Sequence, residues 1–180
     1  SLADASICGF AGYPVWFGNR FANSNTADLI SFDVFFQRHP FASEEVMSID
    51  IFDANHNLLG TSELFVPVCG QWMTVRVPDI PVNGDFYGMI HIDQSMGDSH
   101  YLGLDLDGPL SATNPGFVYN GSEWLTVPQY ITGLNSGVFM IRPVLNVGSN
   151  GADDSNRSTE RSVQDYSLFR FEPGEENNQA

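Results

Sequence analysis

This sequence predicts an all-β fold, an antiparallel β-sandwich of the jelly-roll type. Three observations carry that prediction. Short segments alternate apolar and polar residues with the period of two that a half-buried strand requires. Gly, Pro and Asn punctuate those segments at regular spacing, and no segment carries an apolar stripe at helical spacing over a useful length. About ten short strands in such an order read as a sandwich, with a closed barrel as the structural alternative.

The elements follow in order. A first strand, 15–21, comes after the turn Gly12-Tyr13-Pro14. In 29–37 the alternation places Ile30, Phe32, Val34 and Phe36 on one face and Ser31 and Asp33 on the other. The stretch 46–65, VMSIDIFDANHNLLGTSELF, shows the grammar most clearly. Met47, Ile49 and Ile51 alternate with Ser48 and Asp50, and the turn Ala54-Asn55-His56-Asn57 joins strand 46–53 to strand 58–66. Strand 71–77 turns Met73, Val75 and Val77 inward against Trp72, Thr74 and Arg76. Strand 85–93 follows the turn Val82-Asn83-Gly84, and 101–106, 116–119, 124–127 and 137–144 complete the set.

Residues 1–147 thus form one sandwich module. After Leu145 the composition turns polar, and 148–180 read as a linker followed by the start of another module. Tyr166, Leu168, Phe169 and Phe171 begin an apolar alternation there. That strand either folds back on the sandwich edge or belongs to a pairing outside this body, since a lone strand leaves its backbone groups unpaired.

The bulk properties exclude several classes of partner. The net charge is −15, and all seven basic residues are arginines. Such a surface repels nucleic-acid phosphates and anionic lipid. No apolar run approaches the roughly 18 residues of a membrane helix, so membrane insertion is not expected. Only 16% of residues are charged, so the exposed faces rely on Ser, Thr, Asn and Gln, as is common in extracellular β-proteins. The two cysteines, Cys8 and Cys69, are far apart in sequence and are either a disulfide or two buried thiols.

Candidate sites are few. Asp53, Asn55 and Asn57 have the D-x-N-x-N spacing of a calcium loop, but its sixth position is Leu58 and its twelfth Leu64, so a hairpin turn explains them better. Asp105 and Asp107 in LGLDLDGP lie close together at a strand end. With Asp93, Asp98 and carbonyls of the loop 94–99 they are either an oxygen shell for Ca²⁺ or a solvated acidic turn. The histidines His39, His56, His91 and His100 are dispersed, without a GxSxG or Cys-His context. His91 falls on a strand facing the same way as Tyr87 and Met89 and reads as structural; His56, in the turn, reads as solvated. Neighbouring acids in a turn do not make the facing carboxylate pair of a glycosidase. A jelly-roll hydrolase is therefore the weakest reading, and no catalytic role is expected. The aromatics Trp16, Trp72, Trp124, Tyr13, Tyr101, Tyr119 and Tyr130 include candidates for a sugar-stacking platform, set against plain packing. Trp72, Trp124, Tyr119 and Tyr101 are the ligand-binding candidates.

The body resembles a β-sandwich accessory module of large secreted and cell-surface proteins of Bacteroidota, many of them exported by the type IX system. The residues that carry the resemblance run over 49–144: IDIFDANHNLLGTSELF, QWMTVRVPDIPVNGDFYGMIHID, YLGLDLDGP, GFVYNGSEW and GVFMIRPVL. These are turns and core strands, so they bear on fold more than on chemistry. The tail SVQDYSLFRFEPGEEN looks like the opening strand of a fibronectin-III-like module. The resemblance implies a fragment of a longer, secreted or surface-held protein. It further implies a non-catalytic binding or adhesive unit, with a glycan or a surface protein as ligand and neighbouring domains as partners. The alternative it leaves is a structural spacer, or a subunit of a surface assembly that pairs through the tail strand.

Overall fold

The computed structural model describes residues 3, 5–7, 15–37, 46–92, 101–107, 114–147 and 163–164. Its strands are β1 (Ala5–Ile7), β2 (Val15–Phe21), β3 (Thr26–Gln37), β4 (Ser48–Asp53), β5 (Leu58–Thr61), β6 (Trp72–Asn83) and β7 (Phe86–Ile92). After them come β8 (Tyr101–Asp105), β9 (Phe117–Tyr119), β10 (Trp124–Thr126), a one-turn helix α1 (Val127–Tyr130), β11 (Val138–Phe139), β12 (Ile141–Asn146) and β13 (Val163–Gln164).

The strands form two antiparallel sheets, as the alternation predicts. One runs β1-β8-β3-β12-β13, with β11 also on β8 and β6 on the free side of β3; the other runs β10-β9-β2-β7-β4-β5. Most connections cross from one sheet to the other, the winding of a jelly roll. Between the sheets lies one core, in which Phe17, Phe32, Phe36, Phe86 and Phe139 are fully buried among Leu29, Ile49, Ile51, Ile90 and Ile92. Burial of this kind, at about 25 cal/mol per Å² of apolar surface, is the main term holding the sandwich together.

Several elements differ from the sequence reading, each for a local reason. Strand β6 continues through Pro78 and Pro81 to Asn83 instead of ending at Val77. Among the described strands β3 is its one ladder partner, and an edge strand tolerates prolines that cannot donate to a ladder. Opposite Ile30 the register slips, so that Leu29 faces Ile80 and Ser31 faces Arg76. This bulge makes Leu29 the core residue and leaves Ile30 half-buried, correcting its assignment to the inward face. Strand β5 stops at Thr61, not at Val66. There the Ser62 N–H donates to the Ile49 carbonyl at 2.8 Å while its hydroxyl, not its carbonyl, accepts the Ile49 N–H at 2.9 Å, and a further bridge joins Met47 to Phe65.

Residues 137–144 are two strands, split at Met140, whose N–H and C=O serve Gly103 and Phe35. The helix α1 is a single turn, too short to carry a periodic signal. Its approach is fixed by the Gln129 carboxamide oxygen, which accepts both the Thr126 N–H at 2.8 Å and the Thr126 hydroxyl at 3.0 Å. Strand β1 is three residues long and owes its register to β8.

One polar residue sits on the inward phase of β2. Asn19 is buried, donates from Nδ2 to the Phe139 carbonyl at 2.7 Å and accepts the Phe139 N–H at Oδ1 at 3.0 Å. Its amide thereby closes the unpaired backbone of β11 and ties the two sheets together. Cys69 is a free, partly buried thiol in parallel bridge with Phe36, while Cys8 lies outside the described residues. Val163 and Gln164 pair with Asn146 and Leu145 of the same chain. The turn Gly12-Tyr13-Pro14, the linker beyond Val147 up to residue 162 and the segment Tyr166 to Phe171 lie outside the described residues.

Candidate functional site

The side of the six-stranded sheet that faces away from the core carries a cluster of aromatic rings. Alternation generates it. On β2, Phe17 points into the core and Trp16 away; on β7, Ile90 and Ile92 point in while Tyr87, Met89 and His91 point away. Likewise Ile49 and Ile51 on β4 leave Asp50 and Phe52 outside, and Val118 on β9 leaves Phe117 and Tyr119. Register then aligns these residues. His91 is opposite Trp16, Trp16 opposite Tyr119, and Tyr119 opposite Trp124, so four strands contribute one continuous row.

The rings in the row meet. His91 stacks on Trp16 at 4.3 Å and 7°. Trp16 and Tyr119 lie 5.1 Å apart, tilted, and Tyr119 stacks on Trp124 at 5.0 Å and 22°. Strand β10 is three strands from β7, a separation of about 14 Å at the usual strand spacing. The Trp124 ring nevertheless reaches to 5.1 Å from Tyr87, 5.3 Å from Phe52 and 4.1 Å from His56. Side chains of strands that are not neighbours thus meet above the sheet, and Phe117 closes edge-on against Tyr87 at 5.2 Å. Met89 beneath is fully buried although it is not part of the core.

Polar groups fix the rim. The Trp16 indole N–H donates to Asp50 Oδ2 at 2.8 Å, and the Thr61 hydroxyl donates to Asp50 Oδ1 at 2.7 Å. At the β4–β5 hairpin, Asp53 Oδ1 accepts the N–H groups of Asn55 and Asn57, each at 2.8 Å, and Oδ2 accepts the Asn57 side-chain amide at 2.8 Å. These bonds, the Asn57 side chain foremost, hold the Asp53 carboxyl below its usual pKa. The residue with left-handed backbone in that turn is His56, at φ 65°, not one of the asparagines. At the β9–β10 hairpin, Asn120 Oδ1 accepts the N–H groups of Ser122 and Glu123, Gly121 supplies the positive φ, and the Tyr119 hydroxyl donates to the Gly121 carbonyl at 3.0 Å. Arg20 is paired with Asp85, whose carboxyl is held low first by that guanidinium and then by the Asn23 N–H. Burial raises the Tyr87 phenol. His91 Nε2 is buried and has no hydrogen-bond partner among the described residues.

Of the four ligand-binding candidates, Trp124 and Tyr119 come together in this cluster. Trp72 does not join them. It stands on β6 in the other sheet, beside Phe35 at 5.7 Å, with the Arg142 guanidinium 4.0 Å over its ring. The Tyr101 backbone pairs with Gln37 at the start of β8, and its side chain lies outside the described residues. Asp105 is the last residue of β8 and Asp107 follows in a bend; Asp105 Oδ1 accepts the Asp107 N–H at 3.2 Å. Asp93, Asp98 and the loop 94–99 lie outside the described residues. Among the described residues no group of three or more His, Cys, Asp or Glu side chains is placed to hold a metal ion.

The sequence reading passed over His56, Phe52 and Phe117 as members of this cluster. A signal was present: aromatic residues at positions where alternation calls for polar ones, on β2, β4, β7 and β9. Elsewhere, a groove of about 680 Å³ lined by Thr61, Ser62, Glu63, Thr74, Arg76 and Asp79 has hydroxyls and charges but no aromatic lining. No protein-family model and no curated protein matches this chain.

Proposed function

We propose that this chain is a non-catalytic binding module that holds a glycan against the aromatic side of its six-stranded sheet, as an accessory unit of an exported, multidomain surface protein. One observation carries the reading: the row His91, Trp16, Tyr119 and Trp124, together with Tyr87, Phe117, Phe52 and His56, lies on the face opposite the core. Aromatic rings stack on the apolar faces of sugars, and the carboxamide, hydroxyl and carboxylate groups at the rim suit sugar hydroxyls. The exported, surface-held context rests on the resemblance of residues 49–144 to accessory modules of that kind.

A glycan array probed with the wild-type chain, with and without EDTA, tests the reading. Binding to oligosaccharides is the expected result. Sensitivity to EDTA implicates a divalent cation, with Asp105, Asp107 and Asp93 as the candidate ligands to mutate next, and indifference to EDTA leaves the aromatic face alone. Hydrolysis of any bound glycan contradicts a non-catalytic role.

A second reading, a subunit of a surface assembly, is favoured by the open edge at β5. That strand ends its sheet, and Leu58, Leu59, Leu64, Val66 and Val68 are exposed along it and just beyond, Leu64 at 74%. Exposed apolar edges invite strand addition. The segment Tyr166 to Phe171 of a neighbouring copy, with its alternating apolar residues, is the proposed occupant. Light scattering on the full chain and on a chain ending at Val147 tests it: concentration-dependent oligomers that vanish with the tail support the reading, and a monomer in both forms contradicts it.

A further inference from the structure

Trp124, a half-buried ring of the aromatic cluster, has one face taken by the exposed His56. His56 lies flat on Trp124, at 4.1 Å and 6°, and so covers the face that a planar ligand would use. Three features make that cover unusual. Its backbone has a left-handed φ of 65°, a conformation that Asn or Gly holds at less cost than His. The hairpin tip does not need the imidazole, since the Asp53 carboxylate and the backbone bonds between Asp53, His56 and Asn57 close the turn without it. The imidazole makes ring contacts, to Trp124 and to Tyr87 at 5.1 Å, and a weak electrostatic interaction with Asp53, with no hydrogen bond to it among the described residues' contacts. A rotation about its side-chain bonds uncovers Trp124 and leaves the turn intact.

The charges around the cluster narrow what takes its place. Asp50, Asp53 and Glu123 lie about the rings, and Arg20, the arginine on this sheet among the described residues, is neutralised by its pairing with Asp85. The other described arginines, Arg76 and Arg142, belong to the opposite sheet. An acidic rim on a chain of net charge −15 repels uronates, sialylated sugars and sulfated sugars. It accepts neutral pyranoses, whose hydroxyls donate to carboxylates.

We propose that the Trp124 face is the primary stacking subsite for a neutral pyranose, and that His56 is a placeholder which the sugar displaces. The inference rests on the glycan-binding reading and adds the subsite, the ligand class and the moving residue. Replacing His56 removes a competitor for the Trp124 face, so affinity rises. The gain is roughly two- to tenfold, the factor that the stacking energy of one aromatic pair corresponds to.

The test applies the wild-type chain, His56→Gly, His56→Asn and Trp124→Ala in parallel to an array of neutral and anionic oligosaccharides. The best neutral oligosaccharide is then titrated calorimetrically with each protein. Gly and Asn both favour the left-handed backbone, so these variants keep the turn. The expected result is binding to neutral sugars only, tighter in both His56 variants and lost in Trp124→Ala. Neutral binding that is unchanged or weaker in both His56 variants overturns the displacement and leaves the glycan reading standing. Binding confined to anionic sugars overturns the ligand class. An array blank for all four proteins overturns this proposal and the glycan reading together.

Discussion

Replacing Asn19 by alanine removes both partners of the Phe139 backbone at once. The Asn19 amide donates to the Phe139 carbonyl at 2.7 Å and accepts its N–H at 3.0 Å, and both residues are buried. Each buried backbone group left without a partner costs about 1–3 kcal/mol, so the substitution is expected to cost about 2–6 kcal/mol. A domain of this size has roughly 5–15 kcal/mol in total, which makes the loss a large part of its stability. Urea denaturation followed by tryptophan fluorescence measures it as a shift in midpoint at constant slope.

Asn19→Asp separates hydrogen bonding from packing. Protonated, the introduced carboxyl reproduces the amide pattern, with its O–H donating to the Phe139 carbonyl. Ionised, it is a buried charge facing that carbonyl. Burial raises the folded-state pKa above the unfolded value of about 3.9, so the favourable form is complete below the unfolded value and is lost as pH rises through the folded one. Between the two values the gap from wild type widens by about 1.4 kcal/mol per pH unit. The chain's isoelectric point lies near 4.2, so the comparison belongs at pH 5 to 7, where the protein is charged. A cost below about 0.5 kcal/mol for Asn19→Ala, within the ordinary range of surface substitutions, refutes the reasoning. So does a gap for Asn19→Asp that is flat over that pH range.

Three further outcomes follow from the same geometry. A Cβ at Gly88 lies 2.6 Å from two ring carbons of Phe32, a fully buried residue with little room to retreat. Gly88→Ala is therefore expected to lose about 1–3 kcal/mol by overpacking, read as a lower thermal midpoint. Asp53→Ala frees the hairpin tip, and faster amide exchange at Asn55 and Asn57 is the readout. Because the Asp53 pKa is lowered, its contribution to tip order is complete above 3.8 and disappears as pH falls through the folded value below it; a carboxyl-carbon NMR titration that stays at the ordinary value contradicts this. The Arg20–Asp85 pair is partly exposed, so Asp85→Asn is expected to cost no more than about 1 kcal/mol, less in high salt.

Alternation made much of the fold legible. The inward set Met47, Ile49 and Ile51 and the outward set Tyr87, Met89 and His91 both lie where their period of two puts them, because each strand has one face on the core. What local pattern cannot carry is a change of register. The slip opposite Ile30 depends on how Val77, Pro78 and Asp79 pass a neighbouring strand distant in sequence, and it exchanges the roles of Ile30 and Leu29. Strand β1 and the helix α1 are too short for any period to show. The site was half legible for a related reason. Trp124 and Tyr119 stand out as aromatics near a turn, but their meeting with His91 and Trp16 is set by pairings among β10, β9, β2 and β7. His56 reads as a solvated turn residue, and its backbone is that. Its ring meets Trp124 through a contact between two hairpins far apart in sequence, which no local pattern announces.

The aromatic side of the six-stranded sheet as the binding surface is tested most directly by comparing Trp124→Ala with Trp72→Ala. The two indoles belong to opposite sheets, and Trp72 already has its ring under Arg142. Each variant is first shown to be folded by far-UV circular dichroism, then titrated with the oligosaccharide that wild type binds best. Loss of binding in Trp124→Ala with binding retained in Trp72→Ala is the predicted result. Retained binding in Trp124→Ala with loss in Trp72→Ala contradicts the account.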